Sequence, residues 1–277
     1  MTPDEYCQQK AAASGSSFYY SFLFLPAPRR RAITALYAFC REVDDIVDET
    51  AETQIAATKL AWWRVEVANL YAGKPQHPVT KALQPFIEEY ALSKENLGEV
   101  INGMEMDLTQ SRYLDWPALE RYCYRVAGVV GLLAAGIFGY RDPRTLEYAR
   151  DLGIAFQLTN IIRDVGEDAR KNRIYLPMDE LKRFEVPAAD ILNARQTPQF
   201  EALMQFQNRR ARGYYDKAVA ALAAVDRRAQ RPGLIMAAIY KALLDEIERD
   251  GFRVLSQRTS LTPVRKFWIA WKTWLAA

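Results

Sequence analysis

Apolar residues recur at intervals of three and four through residues 30–49, 54–72, 79–91, 93–108, 117–139, 143–166, 199–224 and 232–256. That spacing belongs to helices with one buried face. Period-two alternation is nearly absent, and Pro26, Pro28, Gly73, Pro75, Pro143, Pro187 and Pro232 fall between the segments. One start signal is explicit: Asp142 is placed to cap a helix with Pro143 at its first position. No Ser/Gly/Pro-rich linker, low-complexity tract or fixed-period repeat interrupts the pattern. The expectation is an all-α helical bundle forming a single domain over 1–277.

Two of these helices carry a polar stripe beside the apolar one. In "ALYAFCREVDDIVDE", Tyr37, Arg41, Asp44 and Asp48 stand at i, i+4, i+7 and i+11, within roughly 60° of one another around the helix. The stripe adjoins Ile33, Leu36, Cys40, Val43 and Val47. In "GIAFQLTNIIRDVGED", Gln157, Asn160, Asp164 and Asp168 repeat the arrangement at i, i+3, i+7 and i+11. Each stripe ends in an Asp pair four residues apart, where like charges repel by a few tenths of a kcal/mol. Four inward carboxylates left unpaired would cost several kcal/mol each, roughly. Divalent cations remove that penalty, and Mg²⁺ favours one or two carboxylates together with water and phosphate oxygens. A solvated acidic face explains either pair alone. The doubling, with Tyr, Arg, Gln and Asn beside it, favours a Mg²⁺–diphosphate cage between facing helices.

Candidate diphosphate ligands surround the stripes. Arg41 can fork two phosphate oxygens, with Tyr37 one turn earlier. Arg163 adjoins Asp164 but points about 120° away from Gln157. "RKNRIYLP" brings Arg170, Lys171 and Arg173 to a loop beside the second pair; as an ordinary basic connector it needs no function. In "SGSSFYYSFLFLP", Ser14, Ser16 and Ser17 precede Phe18, Tyr19, Tyr20, Phe22 and Phe24, which fits a phosphate-binding turn leading to an apolar wall, or core packing. "RYCYRVAGVVGLLAAG" sets Tyr122 and Tyr124 before Gly128, Gly131 and Gly136. Glycine inside a helix costs up to ~1 kcal/mol relative to Ala, so this stretch makes room either for a neighbouring helix or for a long apolar chain.

Composition narrows the classes. With 277 residues, half of them hydrophobic, the chain can bury a full core, and a net charge of +3 is too small to argue for nucleic acid. Cys7, Cys40 and Cys123 cannot all pair and lack metal-ligand spacing, which fits a reducing, cytoplasmic compartment. The N-terminus is polar, without signal-peptide character. The apolar run Val126–Tyr140 is about 15 residues against the roughly 20 needed to span a bilayer, so it reads as a buried helix. The tail "RKFWIAWKTWLAA" mixes Arg265, Lys266 and Lys272 with Phe267, Trp268, Trp271 and Trp274: a membrane-interface helix, or a last helix docking its aromatics on the core. His77 is the single histidine, which excludes histidine-based nucleophilic catalysis and His-ligated zinc. No Walker loop or strand-borne GxGxxG is present, arguing against a Rossmann nicotinamide site.

At these motifs the chain resembles the squalene/phytoene synthase family of head-to-head prenyltransferases over nearly its whole length. "YAFCREVDDIVDE" is similar to the first aspartate motif, "YCYRVAGVVG" to the tyrosine-bearing motif, and "QLTNIIRDVGEDARKNRIYLP" to the second aspartate motif. The opening "MTPDEYCQQKAAASGSSFYYSFLFLP" is most similar to bacterial presqualene diphosphate synthases of the hopanoid route. The resemblance implies an isoprenoid-synthase bundle with a central cavity, two to three Mg²⁺ ions held with diphosphate, farnesyl diphosphate as substrate and no need of NADPH. Carried over by position, Asp44, Asp48, Asn160, Asp164 and Asp168 hold metal. Tyr37, Arg41, Gln157, Arg163, Tyr240 and Arg258 contact substrate together with Ser14, Ser16, Ser17 and Phe18. Tyr122 matches the catalytic tyrosine. Gln257 competes with Arg258, because the match there needs a one-residue shift.

The implied reaction is the Mg²⁺-dependent condensation of two farnesyl diphosphates to presqualene diphosphate. Peripheral membrane contact and coupling to a downstream squalene-forming enzyme would follow from that chemistry. Squalene, dehydrosqualene or phytoene formation are alternatives within the family. Head-to-tail elongation or terpene cyclisation fits less well, since "NIIRDVGED" lacks a double Asp at its start. A non-catalytic helical assembly factor is a further alternative, although such a protein would be expected to lose metal aspartates that this chain keeps.

Overall fold

The structure is a computed structural model that describes residues 1–13, 21–22, 24–50 and 52–276. Fourteen α-helices, a wide turn of helix and a short 3-10 helix at Ala224–Asp226 account for the described regular structure, and the described residues hold one isolated bridge, Arg112 to Ile174, and no sheet. They are α1 (Pro3–Ala13), α2 (Ala27–Glu49), α3 (Thr53–Tyr71), α4 (Pro78–Leu83), α5 (Phe86–Glu89), α6 (Lys94–Thr109) and α7 (Trp116–Cys123). After a wide turn of helix at Tyr124–Gly128 come α8 (Val129–Phe138), α9 (Arg144–Arg170), α10 (Met178–Arg183), α11 (Ala188–Leu192), α12 (Pro198–Ala221), α13 (Arg231–Arg249) and α14 (Pro263–Ala276).

Where the boundaries differ from the sequence pattern, the reason is local. The 79–91 segment splits because Pro85 lacks an N–H and ends α4. The 143–166 segment begins at Arg144, whose N–H bonds to the Asp142 carboxylate at 2.9 Å. It continues to Arg170, so Asp168 is helical. The 232–256 segment stops at Arg249, where Gly251 and Phe252 turn left-handed and the Phe252 N–H returns to the Ile247 carbonyl at 3.0 Å. α1 escaped the periodicity because Cys7 is its one buried residue; it is held by charge, with Lys10 3.1 Å from Glu42 and 2.8 Å from Asp45.

Two apolar clusters build the interior. One gathers α1 to α6 with α8, around Leu36, Phe39, Leu97 and Leu133. The other gathers α7, α9, α12 and α13, around Leu158, Ile162, Leu203 and Leu244. Val126, in the wide turn, packs against both. The apolar run foreseen as a buried helix lies here: Val129, Leu133 and Ile137 of α8 are buried, in a helical stretch (Trp116–Phe138) that is long and apolar enough to cross a membrane. Between the clusters, polar side chains of α2 and α9 keep the layers apart, and a cavity opens.

Candidate active site

The cavity has a volume of about 570 Å³ and receives Tyr37, Arg41 and Asp44 from α2, Tyr122 from α7, Gln157, Asn160 and Arg163 from α9, and Tyr240 from α13. The two acidic helices therefore face one space. On α2, Arg41 bonds to both Asp44 and Asp45. Asp45 also meets Lys10, so this second acid of "VDDIVD" turns toward α1 and anchors it. Asp48, Asp164 and Asp168 do not line the cavity; Asp48 lies 3.1 Å from Arg173 and 3.2 Å from Lys171 of the loop that follows α9. Arg170 is exposed.

On α9, Arg163 Nε donates to Asp164 at 2.7 Å, and Arg258 Nε reaches the same oxygen at 2.9 Å. The angular objection to Arg163 is thus overcome by its length: it reaches both Asp164 and Tyr240. Gly166 brings Arg258 in. A Cβ there would overlap the carbonyls of Val254 and Leu255, and the bare backbone instead lets the Gly166 N–H bond to the Val254 oxygen at 3.2 Å. Four residues later the chain delivers Arg258 to the cavity, whereas Gln257 turns away to Asp250.

Crowding is visible in the proton affinities. Burial, aided by Asp48, Asp45 and Asp107 against the opposing Arg41, raises the Asp44 carboxyl to about 6. Burial with the neighbouring Asp164 and Asp107 raises Asp168 to about 7 against the more distant Arg173 and Lys171; among the described residues it is the one of the four aspartates without an ion pair. Burial alone would raise Asp164 as well, but Arg163 and Arg258 bond to it and hold it below the usual range.

Sequence reasoning missed Asp107 on α6. Its carboxylate accepts from the Tyr122 and Tyr175 hydroxyls at 2.8 Å each, and those rings stack 5.2 Å apart. Burial, then the Asp107 charge, raise the Tyr122 phenol well above its ordinary value, so it remains a hydrogen-bond donor. Desolvation raises Asp107 itself to about 6 against the hydrogen bonds of both tyrosines. The signal available was an acid in the last turn of a helix, where the macrodipole disfavours negative charge. Lys266 of α14, read as part of an aromatic tail, also lines the cavity, as do Thr259 and Ser260.

A second, apolar cavity of about 200 Å³ shares Tyr37, Cys40, Val126, Gln157 and Asn160 with the first and runs on to Phe22, Phe138 and Met236. Both readings of the glycine-rich stretch apply. A Cβ at Gly131 would overlap the Ala149 carbonyl, and one at Gly153 the Ala127 carbonyl, so small residues let α8 and α9 close up. Ala127, Val130, Gly131 and Ala134 also wall this cavity. Phe22 lines it, Phe24 stacks on Trp274 at 5.4 Å, and Ser14, Ser16, Ser17 and Phe18 lie outside the described residues.

Comparisons with known proteins agree on one family. The family's sequence signature, described as squalene/phytoene synthase, matches residues 11–265. The phytoene synthase of Arthrospira platensis is 36% identical over 95% of this chain and 89% of its own. The 15-cis-phytoene synthase of Synechocystis is 35% identical over 99% and 85%. A crystal structure of a dehydrosqualene synthase superposes with a TM-score of 0.87 at 27% identity, covering 98% of this chain and 95% of that one. The squalene synthase HpnC of Alicyclobacillus acidocaldarius gives 0.83 at 28% identity, over 90% and 94%. The chain belongs to the squalene/phytoene synthase family.

As a squalene/phytoene synthase family member it is a prenyltransferase, of the class that condenses prenyl diphosphates head to head. Its fold is the all-α isoprenoid-synthase bundle of these neighbours. The two adjoining cavities suit such a substrate: a polar chamber lined by Arg41, Arg163, Arg258 and Lys266 for a diphosphate, and an apolar one for a tail. Among the described residues, no three acidic, histidine or cysteine side chains converge tightly enough to hold a metal unaided. Asp44, Asp48 and Asp164 are instead each paired with arginine or lysine. The donor set still fits Mg²⁺, which takes one or two carboxylates and completes its shell with phosphate oxygens and water. Asn160 adds an observation of the same kind: its Oδ1, on a side chain lining both cavities, is buried without a hydrogen-bond partner.

Proposed function

We propose that this protein is a presqualene diphosphate synthase, joining two farnesyl diphosphates with release of diphosphate. What carries the reading is that α2 and α9 face one cation-lined cavity, with Asp44 in its wall and Asp164 bonded to the wall residues Arg163 and Arg258, beside an apolar cavity that shares five of its lining residues. The likeness of residues 1–26 to hopanoid-route enzymes supports the product.

In this reading Asp44, Asp48, Asn160, Asp164 and Asp168 hold Mg²⁺, which supplies Lewis-acid neutralisation of the leaving diphosphate. Arg41, Arg163, Arg258 and Lys266 bind the diphosphates, with Tyr37, Gln157 and Tyr240 beside them. The donor's C1–O bond breaks, and diphosphate leaves with the electron pair. The π pair of the acceptor's 2,3-double bond then forms the new bond to that C1. Loss of a proton to the released diphosphate closes the cyclopropane. Tyr122, its hydroxyl fixed on Asp107, faces the allylic cation across the cavity. Walls such as Val126, Ile239 and Leu243 exclude the water that would trap the cation as an alcohol.

Incubation with Mg²⁺ and farnesyl diphosphate, without and with NADPH, is expected to give presqualene diphosphate in both tubes. Squalene in the NADPH tube would make it a squalene synthase. A second reading, phytoene synthase, is favoured by the names of the curated relatives at 34–37% identity. Turnover restricted to geranylgeranyl diphosphate would establish it.

A further inference from the structure

The last helix turns its apolar side outward. In α14 the exposed residues Val264, Trp268, Trp271 and Leu275 follow at intervals of four, three and four, a single stripe, with Phe267 at its edge. Trp268 is 64% exposed and Val264 80%. The opposite side docks on the protein through Ala270, Ile269 and Trp274. The docking reading holds for one side of the helix, and Trp271 also meets Phe24 and Trp274, while Val264, Trp268 and Leu275 stay exposed among the described residues. A soluble helix normally presents the reverse, and contiguous exposed apolar patches mark contact sites.

Charge says what covers it. From residue 251 to the end there is no acidic residue; of its five cations Arg253, Arg258 and Arg265 pair with Asp250, Asp164 and Glu246 and Lys266 lines the cavity, which leaves Lys272 on the outside of α14. The preceding 250 residues, with 32 basic against 34 acidic side chains, are net −2. Lys272 makes no ion pair among the described residues, and Arg231, 5.5 Å from the Trp274 ring, is preceded by exposed Arg227 and Arg228. A second copy of this chain is a poor occupant, since the face offers no acid to answer Lys272 and a two-fold contact would set like charges together. An interfacial helix with tryptophans and lysines on a negatively charged lipid surface meets no such conflict. The same helix contributes Lys266 to the cavity wall, so its outer face and the cavity lie on opposite sides of one element.

We propose that the Val264–Trp268–Trp271–Leu275 face of α14 docks in the plane of an anionic bilayer, setting the cavity beside the lipid surface. The inference does not rest on which prenyl diphosphate is condensed. Flotation of the full chain with substrate-free vesicles tests it. The protein is expected to float with phosphatidylcholine/phosphatidylglycerol vesicles and about tenfold less with phosphatidylcholine alone. The Phe267→Ser/Trp268→Ser double variant should lose about tenfold or more of that binding, with helical circular dichroism unchanged. Lys272→Glu, a single exposed change that leaves the aromatic face intact, should weaken it about fivefold. Absence of flotation, or equal flotation of wild type and both variants, would overturn the proposal. So would a dimer of the wild type in sedimentation velocity that the double variant does not form. A protein that floats but turns over no prenyl diphosphate would leave it standing and remove the enzymatic reading alone.

Discussion

Arg173 Nη1 donates to Asp48 Oδ1 at 3.1 Å, across 125 residues of sequence. That bond ties the loop after one acidic helix to the carboxylate of the other, and so holds the ends of the two rows near one another. It also shows how the site tolerates its charge: Asp44, Asp48 and Asp164 each lean on a guanidinium or ammonium that a diphosphate could claim instead.

If the rows hold the metal, losing one carboxylate removes charge stabilisation needed at ionisation. Asp48→Asn and Asp164→Asn should each lower kcat by about 10²-fold or more in the Mg²⁺-dependent assay. Full activity in either variant would end the metal assignment.

Binding can be read without turnover. Mg²⁺ with inorganic diphosphate should raise the melting temperature, since a ligand at 100 times its Kd stabilises by about 2.7 kcal/mol. Asp168→Asn should blunt that rise, as its carboxylate makes no ion pair among the described residues. An unchanged shift would place the ions elsewhere.

Asp107 predicts a pH signature. Its carboxyl is raised in the folded state to about 6 against an ordinary 3.8. Between these values the folded protein holds more protons than the unfolded one, so stability falls as pH rises from about 4 to above 6. Tyr122, Tyr175 and Arg173 moderate the effect, and Asp48 adds to it. Urea denaturation of the metal-free protein should show wild type losing stability relative to Asp107→Asn across that window, with the difference level above it. Parallel profiles would mean that the carboxyl is not buried against the tyrosines.

Arg258 and Gln257 are adjacent and face different ways. Arg258→Gln should raise KM for farnesyl diphosphate about tenfold, the cost of one charged hydrogen bond. Gln257→Ala should leave both kinetic constants near wild type. The reverse pattern would show that the segment is shifted by one residue.

Gly166→Ala forces a methyl into the Val254 and Leu255 carbonyls. A loss of ~1–3 kcal/mol in urea denaturation is expected, with a rise in KM as Arg258 withdraws. Wild-type stability together with wild-type KM would mean that the loop approaches α9 for some other reason.

How much of this was legible beforehand follows from the range of each signal. Asp44, Asp48, Asp164 and Asp168 could be read because each row lies within one helix, where spacing along the chain is spacing in space. Tyr122 was recognisable from its motif. Asp107 was not, because its meaning depends on Tyr122 and Tyr175, partners 15 and 68 residues away. Lys266 hid among tryptophans, since composition does not say which side of α14 faces inward. α1 left no periodic trace because Cys7 alone is buried in it.

The sequence by itself determined that this chain forms helices and that two of them carry acidic rows, because helical periodicity and charge spacing are local properties of the chain. Tertiary structure alone decided that the two acidic helices face one cavity, that Arg258 rather than Gln257 enters it, and that α14 docks Trp274 while leaving Trp268 outside. Those outcomes depend on close approaches between distant segments, such as Val254 over Gly166, that arise only when helices far apart in the chain exclude water from between them.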